Sequence, residues 1–309
     1  MTVVVTGASG QFGRATVEGL LERLPPEEIM VMTRDPAKLA DLQARGLDVR
    51  RGDFNDPVSL ETAFAGADRM LLISASLVGK RIPQHANAIN AAKAAGVKHI
   101  VYTSYVGKGD ETNASLAVSD HRGTEKLMQE SGLDWTVLRN AQYLDAVVEA
   151  QAPHALRTSR WVASAADGKM AQVTRQDCVN AAVAVLTTPG HRNVIYNITG
   201  PELLSFREIA VVISEIAQKP IEYVVVDDDG MYAFFDSLGI PRDATKEEVV
   251  NGIPWSSDDM VSIERAVRLG QMEILSNDVL TLTGKPPQSL RSFALERQAD
   301  LRTAGEPRP

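Results

Sequence analysis

Three glycines, Gly7, Gly10 and Gly13, stand between a short apolar segment and a helical pattern near the start of the sequence. At this spacing the first permits a tight turn, the second lets the backbone approach a pyrophosphate, and the third lets a helix pack closely on a strand. The helix N-terminus offers unpaired N–H groups and a partial positive charge to phosphate oxygens. The pattern therefore predicts a dinucleotide site. The loop residues predicted to hold the cofactor are Gly7, Ser9, Gly10, Gln11, Phe12 and Gly13.

The residues after the second apolar segment distinguish between the two nicotinamide cofactors. An NAD site usually carries Asp or Glu there for the ribose hydroxyls, whereas a guanidinium suits the 2′-phosphate of NADP. This chain has Arg34 at that point and Lys38 one helical turn further on. Asp35 lies between them, but it precedes Pro36 and fits the N-cap of a short helix better. We therefore expect NADP(H) to be favoured over NAD(H), with Arg34 and Lys38 at the phosphate.

Two more segments follow strand patterns and point to the same ligand. Asp53 and Phe54 follow the third strand pattern, a position that suggests the adenine edge, where a carboxylate would accept from the exocyclic amine. An aspartate in a turn is an equally good interpretation of Asp53. Ser74 and Ala75 follow the fourth strand pattern, and such small residues would let the backbone run beside the ribose and pyrophosphate.

Strand and helix patterns alternate through the first half of the chain. The strand patterns cover residues 2–6, 29–32, 49–52, 69–73, 99–103 and 135–138. Strands separated by helices predict an α/β fold, a Rossmann doubly wound parallel sheet with helices on both faces, and such sheets bind ligands at the carboxyl ends of their strands. We expect residues 1–150 to form the cofactor domain, with the sheet completed by parts of 170–200. Residues 151–309 would then form most of a smaller C-terminal substrate lobe intertwined with the first.

The second half is less regular. A strand is predicted at 194–198, a helix at 205–218 with Ser205 as its cap, and a strand at 222–226. The acidic run 227–230 is expected to be a solvated turn, and the end of the chain from Glu296 is expected to be frayed. Residues 144–165 and 228–275 are expected to supply the substrate walls. Four aromatic residues would either line an aromatic pocket or form the core of the lobe, and we favour the core. They are Tyr232, Phe234, Phe235 and Trp255.

Composition excludes several classes of function. The net charge of −8 argues against general nucleic-acid binding, which needs a basic surface. No run of about 18 apolar residues predicts a membrane span. The sequence begins with a strand pattern rather than a leader pattern, so we expect a cytoplasmic protein. The single cysteine excludes a disulfide framework, and the five histidines show no metal-ligand spacing, so no metal is expected.

The motifs together resemble the NmrA-like branch of the atypical short-chain dehydrogenases. The matching segments are residues 6–13, 33–34, 52–54, 96–104, 121–126, 135–143, 276–278, 282–287 and Phe293. The chain is most similar to the members of this family that are NADPH-dependent quinone oxidoreductases and triphenylmethane reductases. The resemblance implies that Thr103, Ser104 and Asn140 also lie at the cofactor.

Short-chain dehydrogenases in general use a Tyr-x-x-x-Lys pair for proton chemistry, and this chain lacks it. The matching helix carries His121 instead, with Glu125 four residues later. A neutral imidazole is a usable proton donor or orienting group, and Glu125 would set its tautomer. Tyr105 and Tyr143 follow the fifth and sixth strand patterns, and the resemblance places Tyr143 at the nicotinamide or substrate. For each of these three candidates, packing or surface exposure is an equally good interpretation.

We therefore expect a reductase that transfers hydride from NADPH to a flat, conjugated acceptor such as a quinone, an enone or a dye-like aromatic compound. Such acceptors stabilise the incoming charge themselves, which suits a chain without the Tyr/Lys pair. One alternative is an NmrA-like protein that senses NADP(H) without turnover. Another is an isoflavone- or lignan-type aryl ether reductase, although that subgroup carries a lysine where this chain has His121. A homodimer is an assembly that the sequence allows.

Overall fold

The computed structural model describes residues 1–243 and 256–304. Its strands are β1 (Val3–Val5), β2 (Ile29–Thr33), β3 (Asp48–Arg51), β4 (Arg69–Leu72), β5 (His99–Tyr105), β6 (Asp134–Asn140), β7 (Arg160–Ala163), β8 (Lys169–Met170), β9 (Val194–Ile198), β10 (Leu204–Ser205) and β11 (Glu222–Val225). The six strands predicted in the first half are therefore all present. Most of them differ from the prediction by one or two residues at their ends.

Helices alternate with these strands through the first half and dominate the C-terminal part. They are α1 (Gln11–Leu21), α2 (Ala40–Ala44), α3 (Pro57–Phe64), α4 (Arg81–Ala94), α5 (Leu116–Glu130), α6 (Leu144–Ala146), α7 (Ala152–Thr158), α8 (Arg175–Thr187), α9 (Phe206–Ala217), α10 (Asp228–Ser237), α11 (Ser257–Arg268), α12 (Asp278–Thr283), α13 (Leu290–Leu295) and α14 (Gln298–Ala304). Within the described ranges, no helix is long and apolar enough to cross a membrane.

Seven parallel strands form the central sheet, in the order β3-β2-β1-β4-β5-β6-β9. The order reverses direction beside β1, so the carboxyl ends of β1 and β4 lie at the topological switch point where such sheets bind ligands. β9 pairs with β6, so residues 194–198 form an edge strand of the sheet. The predicted doubly wound fold is confirmed.

Alternate residues of each buried strand pack on opposite faces of the sheet. In β1, Val3 and Val5 belong to a cluster with Val17 of α1 and Val179 of α8, whereas Val4 belongs to a cluster formed with α3 and α4. Helices therefore cover both faces, which is why these strands read as continuous apolar runs. The first cluster also includes residues as late as α14, and the boundary predicted at residue 150 stays a prediction.

Two small sheets and a helix pair build the C-terminal part. β10 pairs antiparallel with β8, and β11 pairs parallel with β7. α10 and α11 enclose a separate hydrophobic cluster of Met231, Phe235, Ile240 and Val261. Tyr232 and Phe234 pack against this cluster, as expected if these aromatic residues form a core. Trp255, which we grouped with them, lies outside the described residues.

Two predictions for the second half are wrong. The acidic run at 227–230 is not a solvated turn, because the Asp227 side chain accepts from the Gly230 N–H and caps α10. Asp228, the first residue of α10, pairs with Arg265 and Arg268 of α11. The end of the chain is not frayed from Glu296, since α14 follows and buries Leu301. In both places the local sequence is polar, and a helix forms there. Each helix is stabilised by contacts with segments far away in the chain, which the local sequence pattern does not contain.

Candidate active site

The glycine loop lies between β1 and α1, at the carboxyl edge of the sheet. Gly7 has φ of +59°, a conformation that favours glycine. A Cβ on Gly13 would lie 2.5 Å from the Gly7 carbonyl oxygen, so only glycine lets the first turn of α1 pack this closely on the loop. Gly10 is the N-cap and has no side chain, which leaves the first N–H groups of α1 accessible to an anion. These features fit a pyrophosphate.

Hydroxyl groups fix this loop to the neighbouring strands. Thr6 Oγ1 donates to the carbonyl of Leu71 and accepts from the N–H of Ile73, which joins the ends of β1 and β4. Ser9 Oγ and Thr33 Oγ1 are 3.1 Å apart, which joins the loop to the end of β2. The loop is therefore held in place from both sides before any ligand binds.

The end of β2 presents the predicted phosphate-binding residues to solvent. Asp35 accepts from the N–H of Ala37 and caps the short helix that follows, as predicted. Arg34 and Lys38 are both exposed. Arg14 of α1 ties this segment to the glycine loop, because its guanidinium donates to the Lys38 carbonyl at 3.0 Å and pairs with Asp41. Arg14 is not among the residues that the sequence singled out.

Asp53 and Phe54 follow β3 in a tight turn. The Asp53 carboxylate accepts from the backbone N–H of Asn55 at 2.9 Å, which is the contact expected of a turn aspartate. Phe54 is half-buried, and its ring meets the edge of the buried His85 ring. Contact of Asp53 and Phe54 with adenine stays a prediction.

The segment after β4 is held by two side chains. The Ser74 N–H donates to Thr103 Oγ1, and the Ala75 N–H donates to His85 Nε2, both at 2.9 Å. Because Nε2 accepts, Nδ1 carries the ring proton and donates to Thr124 Oγ1. Burial lowers the pKa of His85 to about 3, which keeps the ring in this neutral state. His85 thus shapes the predicted ribose-binding segment, a role that sequence reasoning did not assign.

His121 lies on α5 directly against two tyrosines of β5. Its Nδ1 is 2.6 Å from the hydroxyl of the fully buried Tyr102, and its ring centroid is 6.2 Å from that of Tyr105. Burial, followed by the nearby Arg81 charge, lowers the pKa of His121 well below its usual value of 6.5, so the ring is neutral at pH 7. Tyr102 therefore orients this imidazole. The prediction that Glu125 sets its tautomer is wrong.

Glu125 is instead the centre of a buried ion-pair network that joins β5, α5 and β6. Its carboxylate accepts from Ser104 Oγ at 2.6 Å and pairs with Arg122 at 2.8 Å and Arg139 at 2.6 Å. Arg122 also donates to the carbonyls of Tyr105, Gly107 and Gly109. The network fixes the loop that follows Tyr105. It also engages the hydroxyl of Ser104, one of the predicted cofactor contacts.

Tyr143 and Asn140 lie at the end of β6, next to the glycine loop. The Tyr143 ring stacks on Phe12 with centroids 6.4 Å apart, and Asn140 Nδ2 donates to the Tyr143 hydroxyl at 3.3 Å. Burial raises the pKa of Tyr143, so its phenol keeps its proton. Asn140 Oδ1 is buried and has no hydrogen-bond partner among the described residues. A buried amide oxygen in this state is a candidate contact for a bound ligand.

The sheet thus brings most of the predicted residues to one edge. Tyr105 lies beside His121, Tyr143 lies against the glycine loop through Phe12, and Thr103 contacts the Ser74 backbone. Sequence reasoning missed the residues that orient them, since Tyr102 reads as an ordinary buried strand residue. Within residues 1–243 and 256–304, no group of three His, Cys, Asp or Glu side chains is placed to hold a metal.

The chain matches the family described as NAD(P)H-binding over residues 7–189. Among characterised proteins, it is 38% identical to quinone oxidoreductase 2 of Escherichia coli (strain K12) over 239 residues, which is 77% of this chain and 82% of that protein.

Two solved structures are similar over nearly the whole chain. One is the NADPH-dependent quinone oxidoreductase of Escherichia coli in complex with NADPH, with a TM-score of 0.86, 33% identity and coverage of 97% of this chain and 99% of that one. The other is the triphenylmethane reductase of Citrobacter sp. in complex with NADP(H), with a TM-score of 0.84, 31% identity and coverage of 96% and 100%.

Proposed function

Because the chain belongs to the NAD(P)H-binding family, we propose that it transfers hydride from NADPH to a flat, conjugated acceptor such as a quinone or a dye. It is an NAD(P)H-dependent oxidoreductase, and the relatives crystallised with NADPH or NADP(H) confirm the cofactor predicted from the sequence. The observation that carries the proposal is the match in fold to the NADPH complex over 97% of the chain, with the glycine loop intact.

The residues of this chain fit the cofactor at both of its ends. Gly7, Gly10 and Gly13 form a cradle that a Cβ at Gly13 would fill, and α1 begins there with accessible N–H groups. Arg34 and Lys38, beyond β2, are the residues we propose for the 2′-phosphate. At the other end, Asn140 Oδ1 is a buried acceptor without a protein partner in the described chain. When bound, NADPH supplies the hydride.

The protein residues then position and shield the acceptor. Tyr105, His121 and Tyr143 are the three groups we propose to face it. His121 is neutral and fixed by Tyr102, so it offers an oriented hydrogen bond rather than a positive charge. A quinone or a dye delocalises the charge that arrives with the hydride, so orientation of the two rings is the main task of the site.

The test is turnover with purified protein. NADPH is mixed with a panel of quinones, azo compounds and triphenylmethane dyes, and the loss of nicotinamide absorbance is followed. We expect oxidation of NADPH with at least one acceptor class, and faster oxidation than with NADH. Tight NADP(H) binding without turnover of any acceptor would contradict the proposal and favour the alternative of a cofactor-sensing protein. A cytoplasmic location and a homodimeric assembly are also part of the proposal, and sedimentation of the protein tests the second.

A further inference from the structure

Tyr102 of β5 is fully buried, and its hydroxyl lies 2.6 Å from Nδ1 of His121 on α5. A buried hydroxyl has no water to take its proton, so its hydrogen bonds must come from the protein. Within the described ranges, Nε2 of the same histidine has no hydrogen-bond partner. One ring nitrogen is thus occupied by the phenol, and the other is available to a ligand.

The imidazole of His121 carries a single ring proton. Burial has the largest effect on its pKa and the Arg81 charge the next largest, and both lower it well below 6.5, so the ring is neutral at pH 7. A neutral imidazole donates through one nitrogen and accepts through the other. The direction of the bond to Tyr102 therefore determines whether Nε2 offers a proton or a lone pair to a ligand.

The length of the contact between Tyr102 and His121 indicates that the phenol donates. A nitrogen donor usually lies about 2.9–3.0 Å from its acceptor, whereas hydroxyl donors approach more closely, to about 2.7 Å. The distance of 2.6 Å fits an O–H donor and is short for an N–H donor. When the phenol donates, Nδ1 accepts and the ring proton lies on Nε2.

A chain of hydrogen bonds that begins at the backbone favours the same direction. The N–H of Ala75 can only donate, and because it donates to Nε2 of His85, Nδ1 of that ring donates to Thr124 Oγ1 at 2.9 Å. The Thr124 hydroxyl also lies near the phenol of Tyr102. Since its oxygen already accepts from His85, Thr124 has its own proton to give, either to a backbone carbonyl of α5 at 3.3 Å or to Tyr102. The phenol proton is then left for His121.

We propose that Tyr102 is a positioning residue that holds the proton of His121 on Nε2, and that this N–H donates to the carbonyl oxygen of the acceptor. This inference rests on the proposed function and separates its two acceptor classes, because a quinone has such an oxygen and a cationic dye does not need one. Tyr105 lies next to the same histidine, and its buried hydroxyl has no partner in the part of the chain that the structure describes. The two groups mark the side of the site where the carbonyl oxygen binds.

The electron balance of quinone reduction explains what this donor does. The hydride pair becomes a C–H bond at a conjugated carbon, and a π pair moves to the carbonyl oxygen, which becomes an oxyanion. The N–H of His121 stabilises that oxyanion by a hydrogen bond and keeps its own proton. Water protonates the oxygen on release, and a proton shift from carbon to the second oxygen completes the hydroquinone, so quinone, NADPH and H⁺ give hydroquinone and NADP⁺. A cationic triphenylmethane dye becomes neutral when hydride reaches its central carbon, so no oxyanion forms.

Nitrogen-15 NMR of the full chain, labelled in its histidines, tests the tautomer without turnover. Protonated and bare ring nitrogens have well separated chemical shifts, and His121→Gln identifies the signals of His121 by their loss. At pH 7 we expect a protonated Nε2 and a bare Nδ1 in the wild-type protein. In Tyr102→Phe the two shifts should move towards each other, because both tautomers become populated. A protonated Nδ1 in the wild-type protein, or unchanged shifts in Tyr102→Phe, would overturn the inference.

Turnover of a naphthoquinone and of a cationic triphenylmethane dye tests the role of the donor. His121→Asn keeps an amide near Tyr102 but is too short to reach the acceptor, and it should lower the quinone kcat by about 100-fold. His121→Gln, whose amide reaches the position of Nε2, should keep the quinone kcat within about 10-fold of the wild-type value. Tyr102→Phe should lower it by about 10-fold, and the dye kcat should change by less than about 2-fold in all three variants.

Tyr196→Phe is the matched control. The Tyr196 hydroxyl also bonds to Nδ1 of a histidine, at 2.9 Å, but that residue, His191, precedes β9 at the amino edge of the sheet. Both kcat values should stay unchanged in this variant. Equal losses of quinone and dye kcat in Tyr102→Phe, or equal quinone kcat values in His121→Gln and His121→Asn, would overturn the inference. If the wild-type protein reduces neither acceptor, the proposed function itself fails, whereas a protonated Nδ1 in a protein that reduces quinones contradicts this inference alone.

Discussion

At the end of β2, Arg34 is exposed, and the neighbouring Asp35 caps the short helix that follows. A carboxylate in that state is not presented to ribose hydroxyls, whereas a guanidinium can donate two hydrogen bonds to a phosphate. Charge-assisted hydrogen bonds contribute about 1.5–3 kcal/mol, so Arg34→Ala should weaken NADPH binding by roughly 10- to 100-fold. NADH binding should change little. Titration calorimetry with both cofactors measures the difference.

Arg192→Ala is a suitable control for the loss of one positive charge. Arg192 pairs with Asp134 at the amino end of β6, which is the edge of the sheet opposite the proposed site. Equal losses of NADPH affinity in the two variants would indicate a general effect of net charge. An unchanged affinity in Arg34→Ala would assign the phosphate to other residues.

At the residue scale, a role could be predicted where it depends only on the immediate neighbours in the sequence. Asp35 is followed by Pro36, and the cap that this pair indicates is present. The partner of His121 could not be predicted in the same way. Glu125 is four residues away on the same helix, yet Arg122 and Arg139 pair with it. A buried carboxylate needs positive partners, and one of them comes from another strand.

At the scale of elements, glycine has two different roles where the glycine loop meets α1. Gly13 allows close packing, and Gly10 leaves room for the cofactor. A Cβ at position 13 would lie 2.5 Å from the Gly7 oxygen and 2.8 Å from Ala8 Cα, whereas a Cβ at position 10 would lie 3.4 Å from the Gly7 oxygen. Gly13→Ala should therefore lower the free energy of unfolding by about 1–3 kcal/mol and also weaken NADPH binding. Gly10→Ala should leave stability nearly unchanged and weaken only cofactor binding, since its methyl group would face the pyrophosphate.

Denaturant unfolding of the cofactor-free variants, followed by NADPH titration, distinguishes the two effects. If Gly10→Ala and Gly13→Ala destabilise the protein equally, the close approach of α1 is not specific to Gly13. If Gly10→Ala binds NADPH as tightly as the wild-type protein, the ligand does not approach that part of the loop.

Elements were predictable where a periodic apolar pattern coincided with local end signals. The capping box of α9, in which Ser205 and Glu208 satisfy each other's backbone N–H groups, is such a case. The start of α10 was missed because its N-cap and its first three residues are three acids and a glycine. Asp227 serves as its cap, and the Asp228 charge is neutralised by Arg265 and Arg268, which lie about 40 residues later in the chain. Such a partner is visible only after folding.

At the scale of the whole molecule, the chain brings distant segments to one site. Tyr105 is the last residue of β5, and Asp259 lies more than 150 residues later, on α11, which packs against α5. The sheet order, and with it the cofactor edge, follows from strand and helix patterns that are local. The residues on the acceptor side depend on how the C-terminal helices pack near that edge. No periodicity in the sequence predicts this packing. The cofactor could therefore be predicted from the sequence, whereas the packing of α11 against α5 could not.

Buried neutral histidines distributed through the fold make its stability depend on pH. In His99, which contacts Thr136 across β5 and β6, burial and the nearby Arg69 lower the pKa from 6.5 to about 4. Between these values the unfolded chain binds a proton on His99 that the folded chain does not. The stability contribution is therefore complete above about pH 6.5 and is lost as the pH falls towards 4, at about 1.4 kcal/mol per pH unit. His85 and His121 act in the same direction, whereas the raised pKa of Asp259 acts in the opposite one.

His99→Gln tests the contribution of one titrating group to the pH dependence of stability, because all other groups are common to the variant and the wild-type protein. The variant loses the titrating ring and keeps a hydrogen-bonding side chain beside Thr136. Its free energy of unfolding, measured by denaturant titration from about pH 4.5 to 6.5, should rise less steeply with pH than that of the wild-type protein, by about 1.4 kcal/mol per pH unit. Lys98→Gln, which changes an exposed neighbouring side chain, should keep the wild-type slope. Equal slopes in His99→Gln and the wild-type protein would mean that His99 is already protonated in the fold, and that Thr136 and the surrounding strands tolerate a buried positive charge.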